Sequence, residues 1–420
     1  MKTIIEMGKA AREASRFLMN ASTNRKNEFL LKLAETLDTN RIAILAANQL
    51  DYDDATELTP AMRDRLLLND SRIDAIIRDV RHVAELPDPV GECFDEMPHK
   101  DGLKIHKERT PLGVVAVIYE SRPNVTIDSA SLLVKSGNAA ILRGGKETVR
   151  TNEALMNAVT EALSAAGFPE DCVQCILSPD RALVGELLAM DQYVDMLIPR
   201  GGAGLHEFCR KNSRIPVITG GIGVCHIFLD ETADMFRSFD VIRNAKVQRP
   251  TVCNALETLL VHQNIADAAI PDLCEYLASD GVVMCVDPRA MEILQRAHVR
   301  SEFYEEVHDE DYDKEWLSLR LNVKVVDDLA EAIAHIQQHG TGHSDSILTE
   351  DEDNANAFVA QVNSAAVYVN CSTRFTDGSE LGLGAEIAIS TQPLHARGPM
   401  ALRELTTYKW VIRGDYNSRG

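Results

Sequence analysis

The sequence predicts an α/β protein built from two parallel-sheet units, and three features carry that expectation. The chain of 420 residues exceeds the ~100–200 residues that one core usually organises, so two or three packed units are expected. Its first hundred residues repeat apolar positions at intervals of three and four, the period of helices buried along one face. From Gly113 onward, short β-branched runs alternate with helical stretches, the pattern of a parallel sheet covered by helices.

Taken in order, Ile4, Ile5, Ala11, Ala14, Phe17 and Leu18 mark a first helical stripe, and Leu30, Leu31, Ala34 and Leu37 a second. Residues 113–119 read as a buried strand, followed by a helix near 128–135, a strand at 139–142 and a helix across 152–165. The alternation continues with a strand at 172–177, a helix near 183–189, a strand at 194–198, a helix from Ala203 and a strand at 215–218. Residues 212–223, rich in glycine around Pro216, read as a hinge between units. A second alternation begins at 224–228, with strands expected at 256–261, 282–285, 323–326, 346–348 and 366–369. The acidic stretch 305–313 reads as a solvated surface loop.

Composition narrows the partners. A formal net charge of −21 repels phosphate backbones, and no Lys/Arg stripe interrupts it, so nucleic acid is not an expected partner. No apolar run approaches the ~20 residues of a membrane span. The N-terminal residues carry charges where a signal peptide needs an apolar stretch, which points to the cytoplasm. Nine cysteines, an odd number scattered over the chain, read as reduced thiols. The Cys172-Val-Gln-Cys175 pair has no second ligand pair at metal spacing, so no metal site is expected.

Polar clusters stand out against this background. Arg143-Gly-Gly-Lys146 lacks the Ser/Thr of an ATP-binding loop, and Gly201-Gly-Ala-Gly204 lacks the third glycine of the dinucleotide fingerprint. Both still follow strands and bring a cation, which suits a phosphate at a helix start as well as it suits a plain turn. Cys253 follows Arg249-Pro250, a bend able to present its thiol ahead of a strand, while Cys172, Cys175, Cys225 and Cys285 fall within apolar runs. Tyr119-Glu-Ser-Arg-Pro-Asn124 ends the first strand of the alternation, where Asn124 serves either as an oxyanion donor or as a cap of the next helix. Residues 370–378, 382–386 and 395–399 gather Arg374, Asp377, Glu386 and Arg397 at a density typical of a polar binding site.

Together these segments resemble the aldehyde dehydrogenase superfamily, and within it the branch that reduces L-glutamyl 5-phosphate. The motifs are Tyr119 to Asn124, Ile198-Pro-Arg-Gly-Gly202, Gly223-Val-Cys-His226, Asn244 to Glu257, Ser372 to Gly378 and His395-Ala-Arg-Gly-Pro399, so the likeness spans essentially the whole chain. It implies an aldehyde-dehydrogenase-like α/β fold with a site in the cleft between two domains. Residues 1–96 and 115–221 would form an NADP-binding domain and 222–394 a catalytic domain. Residues 97–114 with 405–416 would form a two-stranded flap that joins subunits into a homo-oligomer.

The implied reaction uses NADPH to convert L-glutamyl 5-phosphate into glutamate 5-semialdehyde and phosphate, the second step of proline synthesis from glutamate. Cys253 matches the nucleophile that forms a thioester, with Asn124 and the Cys253 backbone N–H holding the tetrahedral species. Arg143, Lys146, Arg200, Gly201, Gly202 and Glu386 are the implied cofactor contacts, and Arg122, Arg249, Arg374, Asp377 and Arg397 the substrate contacts. Two departures matter. Thr219 stands where hydrolytic members keep a water-activating glutamate. Lys146 replaces the glutamate that often binds adenosine ribose hydroxyls, which favours NADPH over NADH. The rival readings are a coenzyme A-acylating aldehyde dehydrogenase and an inactive, ligand-binding relative. Glutamyl phosphate would come from a separate glutamate 5-kinase, with transient contact between the two enzymes as a further expectation.

Overall fold

The computed structural model describes residues 2–220 and 222–419. Gly221, the expected last residue of the first domain, lies outside them. The chain divides into two compact units. One runs to Thr219 and regains Gly382–Ala388 and the chain from Met400, and the other comprises Gly220–Leu381 and Ile389–Pro399. The catalytic segment expected to run to 394 is therefore interrupted at Gly382. Ile387 N donates to Met400 O at 2.8 Å, and at Gly384 (φ +79) an added Cβ would stand 2.4 Å from the Leu86 side chain. That close backbone approach ties the returning segment to the first unit.

The first unit opens with helices started by side-chain caps. Thr3 and Glu6 form a reciprocal capping box before Ile4–Met19, Ser22 caps Thr23–Thr39 and Asn69 caps Asp70–Glu85. Ala11, Leu18, Leu30, Leu33 and Leu37 are buried as the stripes require, but Ile5 and Leu31 face solvent. Each is adjacent to a buried apolar neighbour, and consecutive helical residues point about 100° apart, so only one of the two reaches the core.

Strands β1 (Cys93–Pro98) and β2 (Lys104–Pro111) pair antiparallel. The C-terminal strand Thr406–Arg413 pairs along all of β2. The flap thus has three strands rather than two, because the chain enters it at Cys93, before the expected start. Next come β3 (Val114–Tyr119), β4 (Ala139–Arg143), β5 (Val173–Cys175) and β6 (Met196–Arg200), parallel and ordered β5-β4-β3-β6. All six residues of β3 are buried, which explains its unbroken apolar sequence. The strand expected at 215–218 reduces to a bridge from Val217 to Leu197, since Pro216 has no N–H to extend a ladder.

The second unit holds β7 (Cys225–Leu229), β8 (Leu256–His262), β9 (Val283–Val286), β10 (Tyr304–Glu306), β11 (Arg320–Val326), β12 (Ser344–Leu348) and β13 (Ala366–Val369). Their order is β10-β9-β11-β8-β7-β12-β13, all parallel. Alternation along the strands builds a core on each face. Ile227 and Leu259 enter one, with Ile270 and Met284, and Phe228 and Leu260 the other, with Ile336 and Phe358. The acidic stretch is exposed over much of its length, as expected, but it is not an irregular loop. It supplies β10 and a 3-10 helix, Asp309–Asp313, in which Asp311 and Tyr312 are buried. Asp311 accepts from His308 N at 2.9 Å and Lys314 Nζ at 2.7 Å, bonds that make its burial tolerable.

Candidate active site

In the first unit the chain reverses its direction across the sheet between β3 and β6, the switch point at which open α/β sheets leave a crevice beyond the strand ends. Tyr119 and Arg200 are register partners there, and Glu120 N donates to Arg200 O at 3.1 Å. Ser121 takes φ +38 while its N and Oγ donate to Glu147 Oε1 at 3.0 and 2.6 Å. Asn124 is the first residue of the helix Asn124–Lys135, whose N-cap is Pro123 without a side-chain bond. The capping alternative is thereby overturned: the Asn124 amide donates instead to Asp128 Oδ2 at 2.9 Å. Burial raises the Asp128 carboxyl to about 7, opposed by the Asn124 bond and the charge of Arg200.

The nucleophile candidate occupies a different kind of place. Cys253 is half-buried on the loop before β8, at the amino end of the sheet. The loop is locked from behind: a Cβ at Gly223 would stand 1.5 Å from the Cys253 carbonyl oxygen, and Cys225 Sγ donates to that oxygen at 3.2 Å. Asn254 Nδ2 donates to Thr376 O at 3.0 Å, and Thr373 Oγ1 returns a bond to Asn254 O at 2.8 Å. Arg374, on the short turn Thr373–Phe375, donates from Nε to Gln248 Oε1 at 2.8 Å. Its pKa is lowered by burial and then by the like charge of Arg249, while Cys253 and Asp377 oppose the shift. Arg249 is exposed.

The remaining predicted residues of this unit have local work. Arg397 forks onto Asn363, from Nη1 to Oδ1 at 2.8 Å and from Nη2 to the carbonyl at 2.7 Å. Asp377 accepts from Ser379 N and Oγ at 2.9 and 2.5 Å, a turn of its own. The cysteines of the apolar strand runs behave as packing: burial pushes Cys172 and Cys175 up to about 12 and Cys225 well above the usual range. His226, at the end of the Gly223 motif, is fully buried with Nδ1 2.9 Å from Asp345.

Sequence reasoning missed a buried ion pair close in sequence to the candidate nucleophile. Lys246 and Glu257 form a fully buried pair at 2.7 Å, from the helix Met235–Val247 to β8. Burial drives both toward neutrality, Glu257 up to about 8 and Lys246 down. Glu315 Oε1 accepts from Gly223 N at 3.2 Å, which brings a carboxylate to the residue that packs on Cys253. Lys246 and Glu257 flank the cysteine by a few residues on either side, a spacing that signals proximity only once a helix–loop–strand unit is known to contain all three.

The family model described as aldehyde dehydrogenase family matches residues 2–293. The chain belongs to the aldehyde dehydrogenase family. This aldehyde dehydrogenase is 56% identical over 416 residues to gamma-glutamyl phosphate reductase of Proteus mirabilis, covering 99% of each chain. Its fold matches the crystal structure of gamma-glutamyl phosphate reductase from Thermotoga maritima with a TM-score of 0.96, at 46% identity and 100% coverage of both chains. An acetylating aldehyde dehydrogenase from Geobacillus thermoglucosidasius shares the fold at a TM-score of 0.69 and 17% identity, covering 99% of this chain and 97% of the other.

An aldehyde dehydrogenase of this kind works with a nicotinamide cofactor, and the first unit contains groups that fit one. Arg143 ends β4 almost fully buried, with Nη1 2.5 Å from Gly144 O and Nε without a partner, a buried cation with donor capacity left over. Lys146 opens a 3-10 turn, Lys146–Thr148, and is exposed. Arg200 Nε is likewise buried without a partner. Gly201 and Gly202 lead into the helix Ala203–Asn212, but Glu120 Oε2 already accepts from Gly202 N at 3.0 Å. An anion at that helix start must displace a carboxylate. Glu386 lies on the returning segment Gly382–Ala388 and so belongs to the same unit as Arg143, Lys146 and Arg200.

Proposed function

We propose that this aldehyde dehydrogenase reduces L-glutamyl 5-phosphate to L-glutamate 5-semialdehyde and phosphate with NADPH, the second step of proline biosynthesis from glutamate. The observation that carries the reading is near-full-length identity to enzymes named gamma-glutamyl phosphate reductase, joined to a half-buried cysteine on a locked loop. In this reading the Cys253 thiolate attacks the acyl carbon, its C–S bond forms, and the C–O bond to phosphate breaks with the electron pair leaving on phosphate. The Asn124 amide and the Cys253 backbone N–H donate to the oxygen that becomes negative. When bound, the nicotinamide supplies the hydride. The resulting hemithioacetal on Cys253 collapses, its C–S bond breaks, and thiolate and aldehyde are restored.

The chain's other residues bind and orient. Arg249 and Arg374, coupled in charge beside Cys253, together with Arg122 receive the anionic groups of the substrate. Arg397 and Asp377 shape the loop around them through Asn363 and Ser379. Thr219, with no carboxylate of its own, leaves water unactivated, so the thioester persists long enough to be reduced. Arg143 and Lys146 favour a 2′-phosphate and hence NADPH, with Arg200, Gly201, Gly202 and Glu386 on the rest of the cofactor. We place the enzyme in the cytoplasm; among the described residues no helix is long and apolar enough to cross a membrane. A homo-oligomer is favoured by the flap, whose edge strand exposes Tyr408, Trp410 and Ile412. Transient contact with the glutamate 5-kinase would shorten the exposure of a labile acyl phosphate, and co-sedimentation of the two enzymes tests it.

The test is the reverse reaction. Formation of NADPH from NADP+ and glutamate 5-semialdehyde is followed with phosphate, with coenzyme A, or with neither, for wild type and Cys253→Ala. Turnover should require phosphate and disappear in the variant. Turnover with coenzyme A alone would move the protein to the acylating branch.

A further inference from the structure

We propose that Asp128 is a positioning residue that fixes which end of the Asn124 amide faces the reacting oxygen. The inference rests on the reading of Asn124 as the oxyanion donor. Asn124 and Asp128 stand one turn apart on the helix Asn124–Lys135, hence on the same face. Because Pro123 occupies the N-cap and Asn124 caps nothing, the amide has turned down its own helix to meet Asp128, Nδ2 to Oδ2 at 2.9 Å. A primary amide has a donor end and an acceptor end of nearly equal shape, and its partners alone decide which end points where. An ionised carboxylate only accepts. It therefore engages one N–H of the amino group, leaves the second N–H available, and repels the flipped amide, whose Oδ1 would meet a carboxylate oxygen.

Protonation removes that discrimination, because a carboxylic acid donates to Oδ1 as readily as its carbonyl accepts from Nδ2. The charged groups that act on Asp128 are Arg200, at the end of β6, which favours the carboxylate, and Asp79 of the helix Asp70–Glu85, which opposes it. Cations on the other two helices packed against this one are engaged elsewhere: Lys26 with Asp88, and Arg150 with Asp51 and Asp54. Tyr119 of β3 bonds Thr126, and Arg143 of β4 bonds Gly144 O. Burial nevertheless sets the Asp128 carboxyl at about 7, so orientation is held above that pH and released below it.

The experiment compares wild type, Asn124→Ala, Asp128→Ala and the near-isosteric Asp128→Asn in the phosphate-dependent oxidation of glutamate 5-semialdehyde, between pH 6 and 8.5, with thermal unfolding of each as a check on folding. Loss of the donor in Asn124→Ala should lower kcat about 100-fold. Loss of its orientation in Asp128→Ala should lower kcat about 10-fold at pH 8, with KM for the aldehyde within about 2-fold and a smaller fall for Asp128→Asn. The ratio of wild type to Asp128→Ala should shrink toward one below about pH 7, because the titration of the nucleophile is common to both. Wild-type kcat in both Asp128 variants, a loss confined to KM, or a ratio that ignores pH would overturn the inference alone. Near-wild-type kcat in Asn124→Ala would overturn the oxyanion reading and the inference with it.

Discussion

Each unit places its candidate site residues at a different end of its own parallel sheet. In the first, Asn124, Arg143 and Arg200 stand at or just beyond the carboxyl ends of β3, β4 and β6, where strand ends splay around a switch point and helix starts face outward. In the second, Cys253 stands on the amino side of β8, where no such crevice is built in, and the loop must be held by other means. It is held by close packing and hydrogen bonds: Gly223 and the Cys225 thiol against the Cys253 carbonyl, and the exchange of Asn254 with Thr373 and Thr376. A carboxyl edge offers geometry for free, whereas an amino edge has to manufacture it. Substitutions should therefore disturb folding around Cys253 and disturb only binding around Arg143.

The largest effect is expected at the buried pair. Lys246→Met leaves Glu257 buried without its partner, at a cost of about 3–5 kcal/mol in unfolding free energy measured by denaturant titration. Burial penalises the charge of both partners, pushing Glu257 up and Lys246 down. The double variant Lys246→Met/Glu257→Leu should therefore recover most of the loss, as replacements of buried pairs by apolar residues often do.

Next is Gly223→Ala. The nearest atoms to the added methyl are the Cys253 carbonyl oxygen, carbon and Cα, and backbone cannot swing aside as a side chain can. About 1–3 kcal/mol of stability should be lost to overpacking. Because the loop itself must move, kcat should fall at least about 100-fold, since small misplacements of reacting groups are costly. A variant with normal kcat would show that the loop is not locked by this contact. Thr373→Val removes a single bond to Asn254 O and should cost about 1–3 kcal/mol, with a smaller fall in kcat, separating the front of the lock from its back.

The same contrast explains what was legible in the sequence. Most strands of both sheets were readable because parallel strands buried on both faces are apolar runs; β3, six apolar residues all buried, is the clearest example. The segment 305–313 was not, since Asp311 is buried by bonds to His308 and Lys314 that charge counting cannot foresee. The place of Cys253 on a loop ahead of a strand was legible from the Arg-Pro bend before it, but the packing that locks the loop was not. Gly223 lies thirty residues away and Thr373 more than a hundred, and glycine packed on a carbonyl leaves the same letter in a sequence as glycine in a turn. Arg397 and Asp377 were singled out for their density of charge, and the structure gives both local partners, Asn363 and Ser379. Charge clustering reports polarity, and only coordinates report whether the polarity is already spoken for.

The smallest predicted effect on folding belongs to the carboxyl edge. Lys146 is exposed on a 3-10 turn, so Lys146→Glu should change unfolding free energy by less than about 0.5 kcal/mol. Its effect on cofactor choice should be larger than that: a carboxylate in place of the ammonium repels a 2′-phosphate and accepts from ribose hydroxyls, so the ratio of kcat/KM for NADPH to that for NADH should fall about 10-fold or more. Buried Arg143 remains in place, and some preference for the phosphate should remain with it. An unchanged ratio in a stable variant would remove Lys146 from the cofactor site. A changed ratio accompanied by a large loss of stability would break the comparison itself, because it would mean that the carboxyl edge, like the cysteine loop, is built by the residues that line it.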